Sequence, residues 1–365
     1  MTFTATQPSM GNPLRAKEDW LIHACERGWI PDRAIRFGMR RLMRQRLIEE
    51  GASDGELRSQ RFNSLRDELR ASPIAIETDA ANTQHYELPP SFFEEHLGPH
   101  LKYSCCLYPR GDETLGQAEE AMLALCAERA QIEDGQTILD LGCGWGALAL
   151  WLAMHYPNAR IVALSNSRSQ REFIEARAAS AGVTNLRVVT GNVAQFDFES
   201  ELSAGYFDRV LSVEMFEHMK NYGLLLERVA NWMRPNGKLF AHIFAHRTLA
   251  YHFQTRDSTD WMSKYFFTGG TMPSEALLLH FQNDLRIDRQ WWISGAHYAR
   301  TAEQWLANLD TARERVMPEL ILTYGERDAR LWFQRWRMFY MAVAELFGYA
   351  QGNEWGIAHY LFDKR

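Results

Sequence analysis

The sequence has no apolar run approaching the ~20 residues a membrane-spanning helix needs. It also has no CxxC pair among its five cysteines, Cys25, Cys105, Cys106, Cys126 and Cys143. An odd number without paired spacing gives no disulfide framework and no zinc pattern, so no metal is expected, and the setting expected is the reducing cytoplasm. Excess basic charge is missing as well: the formal net charge is −6, which leaves no electrostatic footprint for nucleic acid. The opening residues, MTFTATQPSMGNP, lack the basic flank and apolar core of a secretory leader. Internal repeats and low-complexity tracts are absent too. What remains is a globular composition, 46% apolar and 24% charged, over 365 residues. That length suits one large domain with an appendage, or two domains. Aromatic residues reach 12%, with Trp and Phe crowding the last third. A pocket for a flat or greasy substrate and a large aromatic core both fit that bias.

Residues 1–13 read as a disordered tail and 14–72 as a helical region. Inside it, RAIRFGMRRLMRQRLI carries six arginines and no acid, and Ile35, Met39, Leu42 and Met43 share one helical face. Such a helix can seek an anionic surface, or it can pack by that stripe with its arginines in water. Residues 73–130 form a long connection followed by a helix at Thr114–Arg129, and connections of that length are often functional. From 131 onward, apolar strands (TILDLG, ARIVALS, LRVVTG, DRVLSV, KLFAHIF) alternate with amphipathic helices. Strands apolar on both faces, with helices between them, imply an α/β doubly wound sheet, mostly parallel and covered on both sides. The stretch of about 246–345 reads as a helical, aromatic insertion, and EWGIAHYLFDKR as an antiparallel strand at the sheet edge.

Two motifs carry chemistry. ILDLGCGWGALALWLA places Gly142, Gly144 and Gly146 between the first strand and its helix, where backbone can approach a ligand whose negative group meets the helix N-terminus. Asp140, just before them, could accept backbone N–H groups of the loop or simply cap. Dinucleotides and S-adenosylmethionine both use such a loop. A dinucleotide site wants an acid at the end of the second strand, and ARIVALSNSRSQ offers Asn166 and Gln170 instead. The second motif is SVEMFEHM, which ends the fourth strand with Glu214, Glu217 and His218. Open α/β sheets bind ligands at the carboxyl ends of their strands, so three ionisable groups there point to a pocket. If the chain turns helical after Ser212, Glu214 and His218 fall four apart on one face, with Glu217 beside them.

LDLGCGWG, KYSCC, SVEMFEHM, the PNG turn, YFFTGGTMP and AELFGYAQGNEW together resemble the coclaurine N-methyltransferase group, a branch of the cyclopropane-fatty-acid synthase superfamily. The likeness runs from about Asn82 to the C-terminus. It implies a class I methyltransferase, Rossmann-like sheet and S-adenosyl-L-methionine as cofactor. By that resemblance Tyr103 and Ser104 reach over the cofactor, Gly142 and Gly144 lie against its methionine part, Asn166 and Gln170 hold the ribose, and Asn192 and Val193 flank the adenine. Glu214, Glu217 and His218 then line the substrate side as the catalytic candidates, Glu217 and His218 ahead of Glu214, and the substrate is a small aromatic or alkaloid-like amine. The cyclopropane-synthase branch supplies the rival chemistry, carbon methylation or cyclopropanation of acyl chains, which uses a bicarbonate base. Its ligands map to Cys105, Glu217, His242 and Tyr298, with Phe244 at a further contact where that branch has a smaller residue. Only that rival would bring peripheral membrane contact. A non-catalytic S-adenosylmethionine sensor, a nicotinamide oxidoreductase and a homo-oligomer are further open alternatives.

Overall fold

The structure is a computed structural model that describes residues 13–76, 88–196, 198, 205–255 and 259–365. The expected tail, apart from Pro13, and part of the long connection (77–87) lie outside the described residues. Three helices open the chain: α1 (Pro13–Glu26), α2 (Asp32–Glu49) and α3 (Gly55–Ala71). On α2, Ile35 and Met43 are buried and Met39 packs against the same core, whereas Leu42 of the expected stripe is exposed. Three of its six arginines are spent on acids elsewhere in the fold: Arg36 on Glu303 and Glu345, Arg40 on Glu345, and Arg46 on Asp260. The helix is therefore packed and ion-paired along one side. A short helix, α4 (Pro90–Glu94), precedes α5 (Leu115–Arg129). Thr114 and Gln117 close a capping box at the start of α5, a motif worth about 1 kcal/mol.

The sheet follows as β1 (Thr137–Leu141), α6 (Ala147–His155), β2 (Arg160–Ser165), α7 (Arg168–Ser180), β3 (Leu186–Thr190), β4 (Phe207–Val213), α8 (Tyr222–Trp232) and β5 (Met233–His246). Later come β6 (Tyr251–His252), α9 (Trp261–Tyr265), β7 (Thr271–Met272), β8 (Leu285–Ser294), α10 (Gly295–Thr311), α11 (Arg313–Gly348) and β9 (Trp355–Lys364). Seven strands are ordered β3-β2-β1-β4-β5-β9-β8, with β6 and β7 forming a separate pair. β1 is buried along its whole length and flanked in parallel by β2 and β4, the signature of a sheet covered on both faces. Reversal of the winding beside β1 opens the crevice where such folds bind ligands.

Three details depart from the expectation. The C-terminal strand β9 is antiparallel, but it lies one place in from the edge, between β5 and the outermost strand β8. β8 comes from LRIDRQWWIS, inside the stretch expected to be helical, and its side chains alternate loosely between core and solvent. The PNG turn is not a break before β5 but a bulge in it: Phe207 faces Met233 while Arg209 faces Lys238, with Asn236 at φ 64°.

Tyr298 reaches the centre of the molecule because the start of α10 sits directly on backbone. A Cβ on Gly295 would come within 2.1 Å of the Trp355 carbonyl and 2.3 Å of the Phe347 carbonyl. Gly295→Ala is expected to destabilise the fold by about 1–3 kcal/mol through overpacking, read as a lower urea midpoint at unchanged slope. An unchanged midpoint would mean that α10 is not seated this way.

Candidate active site

β4 ends at Val213, and the next residue leaves the sheet in a left-handed conformation: Glu214 has φ 48°. For a residue with a side chain this costs about 1–2 kcal/mol, and such strain gathers at functional sites. The segment does not continue as an α-helix from Ser212. It forms one 3₁₀ turn, Phe216–His218. The three ionisable groups still converge, because that tight turn folds them back over the ends of β4 and β5.

Glu214 is nearly buried and fully engaged. Its Oε1 accepts the Cys105 N–H at 2.9 Å and lies 3.2 Å from His242 Nε2, while Oε2 accepts the Tyr298 hydroxyl at 2.7 Å. Burial raises its pKa, and the nearby Lys102 ammonium and these donors oppose the rise. Glu217 is completely buried, and its Oε1 accepts the Phe244 N–H at 2.6 Å. Its Oε2 has no hydrogen-bond partner among the described residues. Burial, reinforced by the charge of Glu214, pushes Glu217 well above the ordinary carboxylate range. His218 stacks on Phe267 at 5.3 Å, and burial lowers its pKa to about 4. A neutral imidazole therefore stands beside two carboxyl groups whose pKa values burial raises, that of Glu217 well above the ordinary range and that of Glu214 with donors and Lys102 opposing the rise.

The residues that a bicarbonate ion would need are thus already in use. Cys105, His242 and Tyr298 converge on the carboxylate of Glu214, and the Phe244 backbone serves Glu217. Of the set mapped to bicarbonate by resemblance, Cys105, His242 and Tyr298 meet Glu214, while the Oε1 of Glu217 accepts the Phe244 N–H.

The walls are aromatic. Phe244 packs near Phe253, Phe267 and Phe347, and Tyr298 stacks on Phe347 at 4.4 Å. Several aromatic residues of the last third go elsewhere: Trp336 and Phe339 pack on Phe266, Trp332 stacks on Tyr324, and Trp291 and Trp292 lie under Arg129 and Arg247.

On the other side of the crevice, Gly142, Gly144 and Gly146 all have positive φ. A Cβ on Gly142 would fall 2.7 Å from Met215, so the glycine loop lies against the EMFEH turn. A Cβ on Gly144 would meet nothing within 4 Å, which leaves a cradle open to a ligand. Gln170 is buried, its Oε1 takes the Ser165 hydroxyl, and its Nε2 has no partner among the described residues. An open cradle and an unsatisfied amide donor fit a methyl donor carrying a carboxylate and a ribose diol. Asn166 is exposed at the end of β2, and Asn192 and Val193 are half-buried after β3. Asp140 meets the N–H of Ala149, in the first turn of α6, rather than the glycine loop.

Tyr103 and Ser104 belong to a connection ordered by two charges that sequence reasoning missed. Glu119, fully buried on α5, accepts the N–H groups of His100 and Lys102, and burial pushes its carboxyl up to about 7. The Lys102 ammonium, 2% exposed, donates to Ser104 Oγ and to the Cys105 carbonyl. A signal existed: Leu115, Glu119, Met122 and Cys126 share one helical face, so Glu119 is an acid inside an apolar stripe.

The family model for mycolic acid cyclopropane synthetase matches residues 75–350. An (S)-coclaurine N-methyltransferase of Thalictrum flavum subsp. glaucum is 39% identical over 349 residues, covering 94% of this chain and 95% of that one. The cyclopropane-fatty-acyl-phospholipid synthase of Escherichia coli strain K12 is 29% identical, over 68% of this chain and 60% of that one. A crystal structure of coclaurine N-methyltransferase bound to N-methylheliamine and SAH superposes with a TM-score of 0.91 at 37% identity, covering 95% of this chain and all of that one. With the fold, the glycine cradle and these likenesses together, the chain belongs to the cyclopropane synthetase family of S-adenosylmethionine-dependent methyltransferases, in the branch that holds coclaurine N-methyltransferase.

Proposed function

We propose that the protein methylates the nitrogen of a small aromatic, alkaloid-like amine, and the observation that carries this reading is the buried, unpartnered Oε2 of Glu217. A buried acceptor without a donor costs roughly 1–3 kcal/mol, and a substrate ammonium would relieve that cost. S-adenosylmethionine, when bound, supplies an activated methyl group for in-line displacement. Gly142 and Gly144 receive its methionine part, Asn166 and Gln170 its ribose, and Asn192 and Val193 its adenine, under the cover of Tyr103 and Ser104. Glu214, which takes three donors, draws the amine cation in when ionised and orients it among Phe244, Phe253, Phe267 and Tyr298. In its ionised form Glu217 accepts an ammonium N–H at Oε2 and takes that proton, its raised pKa making it the stronger base of the pair, while the neutral imidazole of His218 stands beside it and the lone pair is freed. Positioning of this kind contributes about 7–11 kcal/mol in favourable cases, and a placed base about 10²–10⁴-fold. Coclaurine, which names the similar enzymes, and N-methylheliamine, bound in the similar crystal structure, are amines of this class. Five unpaired cysteines, four of them buried, suit a reducing compartment such as the cytoplasm. Among the described residues no helix is long and apolar enough to cross a membrane.

Glu217→Gln and His218→Ala are each expected to lower turnover about 100-fold or more while donor affinity, measured calorimetrically, stays within about threefold of the original. Loss of donor binding in both variants would put these residues on the cofactor side. Because His218 titrates near 4 rather than 6.5, its imidazole stays neutral from pH 6 to 8. It should give turnover no inflection near 6.5, and an inflection of wild-type turnover above the ordinary carboxylate range, caused by the raised pKa of Glu217, should vanish in Glu217→Gln. With Glu214 standing among the bicarbonate ligands, amine methylation should be unchanged in buffers stripped of dissolved carbonate. Labelled donor offered with secondary amines and with anionic phospholipid vesicles decides the chemistry: label is expected in the amine, and label in the acyl chains would overturn the reading.

A further inference from the structure

Behind Glu214 a line of polar groups runs from the site to the end of α5. His242 Nδ1 lies 2.9 Å from His359 Nε2, and His359 Nδ1 lies 2.8 Å from Arg129 Nη1. Both histidines are fully buried, on the adjacent strands β5 and β9, where they face each other in register. Burial, with the charges of Lys102 and Arg129, keeps both imidazoles neutral, so each carries one proton. A guanidinium only donates. His359 Nδ1 must therefore be the acceptor, and its single proton sits on Nε2. That proton points at His242 Nδ1, which must accept, so the proton of His242 sits on its own Nε2 and points at Glu214 Oε1. One obligate donor at the end of α5 thus settles both tautomers and aims an N–H at the catalytic carboxylate.

We infer that Arg129 is a positioning residue: acting through His359 and His242, it fixes the tautomer that lets His242 donate to Glu214. The inference rests on the amine-methylation reading only for its effect on rate, because the tautomers themselves are observable without any substrate. The same chain speaks against a metal here. Cys126, His242 and His359 bring ligand atoms within 4.8 Å of one another. A metal ion among them would need His359 Nε2 bare, which the Arg129 bond to Nδ1 forbids.

Arg129→Met keeps the length of the side chain over Trp291 and removes the donor, whereas Arg129→Lys keeps an obligate donor. Nitrogen-15 spectra of the histidine-labelled protein, assigned through His359→Asn, are expected to show Nε2-protonated His242 and His359 in the wild type and in Arg129→Lys. Arg129→Met should give mixed tautomers and about tenfold lower turnover, with turnover recovered in Arg129→Lys and donor affinity unchanged in both. Wild-type tautomers retained in a folded Arg129→Met would overturn the inference, as would one tightly bound zinc per chain by elemental analysis. If the tautomers follow Arg129 but no amine is methylated, the inference stands and the amine-methylation reading fails.

Discussion

A single buried carboxylate sets the conditions that the surrounding structure has to meet. Glu214 emerges from β4 in a strained backbone conformation and carries negative charge into the interior, where an unpaired charge costs several kcal/mol. Its donors come from three distant parts of the chain: the Cys105 N–H from the connection, His242 from β5, and the Tyr298 hydroxyl from α10. Each of those parts therefore has a charge to satisfy as well as a core to fill. The connection reaches Glu214 because Glu119 and Lys102 hold its turn, and α10 reaches it because Gly295 lets the helix sit directly on the backbone of β9. The elements that close over the cofactor and over the substrate meet on one side chain.

That convergence also separates two chemistries that share one fold. A free bicarbonate base and a covalently attached carboxylate need the same donors, and only one can occupy them. With Glu214 in place, the pocket carries an acid of its own, whose ionised form suits a cation. Glu217, given fewer donors and crowded by Glu214, is driven toward its protonated form. Two acids whose surroundings push their proton affinities apart are the usual means by which one site both attracts a charge and handles a proton. His218 completes the set because aromatic burial against Phe267 keeps it neutral at ordinary pH.

Much of this was readable in advance. The alternation of apolar strands and amphipathic helices is a local pattern, and it announced β1 to β5 and their helices. The convergence of Glu214, Glu217 and His218 was readable from their address, since SVEMFEHM follows an apolar strand at the end where such sheets bind ligands. The outer strand β8 escaped notice because LRIDRQWWIS mixes charges with tryptophans, as an edge strand covered on one side can, and lies among helices. The expected α-helix after Ser212 failed because the positive φ of Glu214 is imposed by its partners, not by its own preference. Glu119 sat in plain view on an apolar helical stripe, yet the backbone it holds lies about 20 residues away and is visible only in the fold.

By itself, the sequence determined what short-range physics decides: a parallel sheet from apolar strands, a ligand-binding turn from Gly142, Gly144 and Gly146, and ionisable groups at the mouth of β4. Tertiary structure alone decided how burial and donors shift each carboxylate, which aromatic residues surround them, and which groups line up behind Glu214. Those outcomes depend on groups such as His242, His359 and Arg129, separated by 117 and 230 residues along the chain. A hydrogen bond requires atoms about 3 Å apart with the proton on one side, and no local pattern encodes that across such distances.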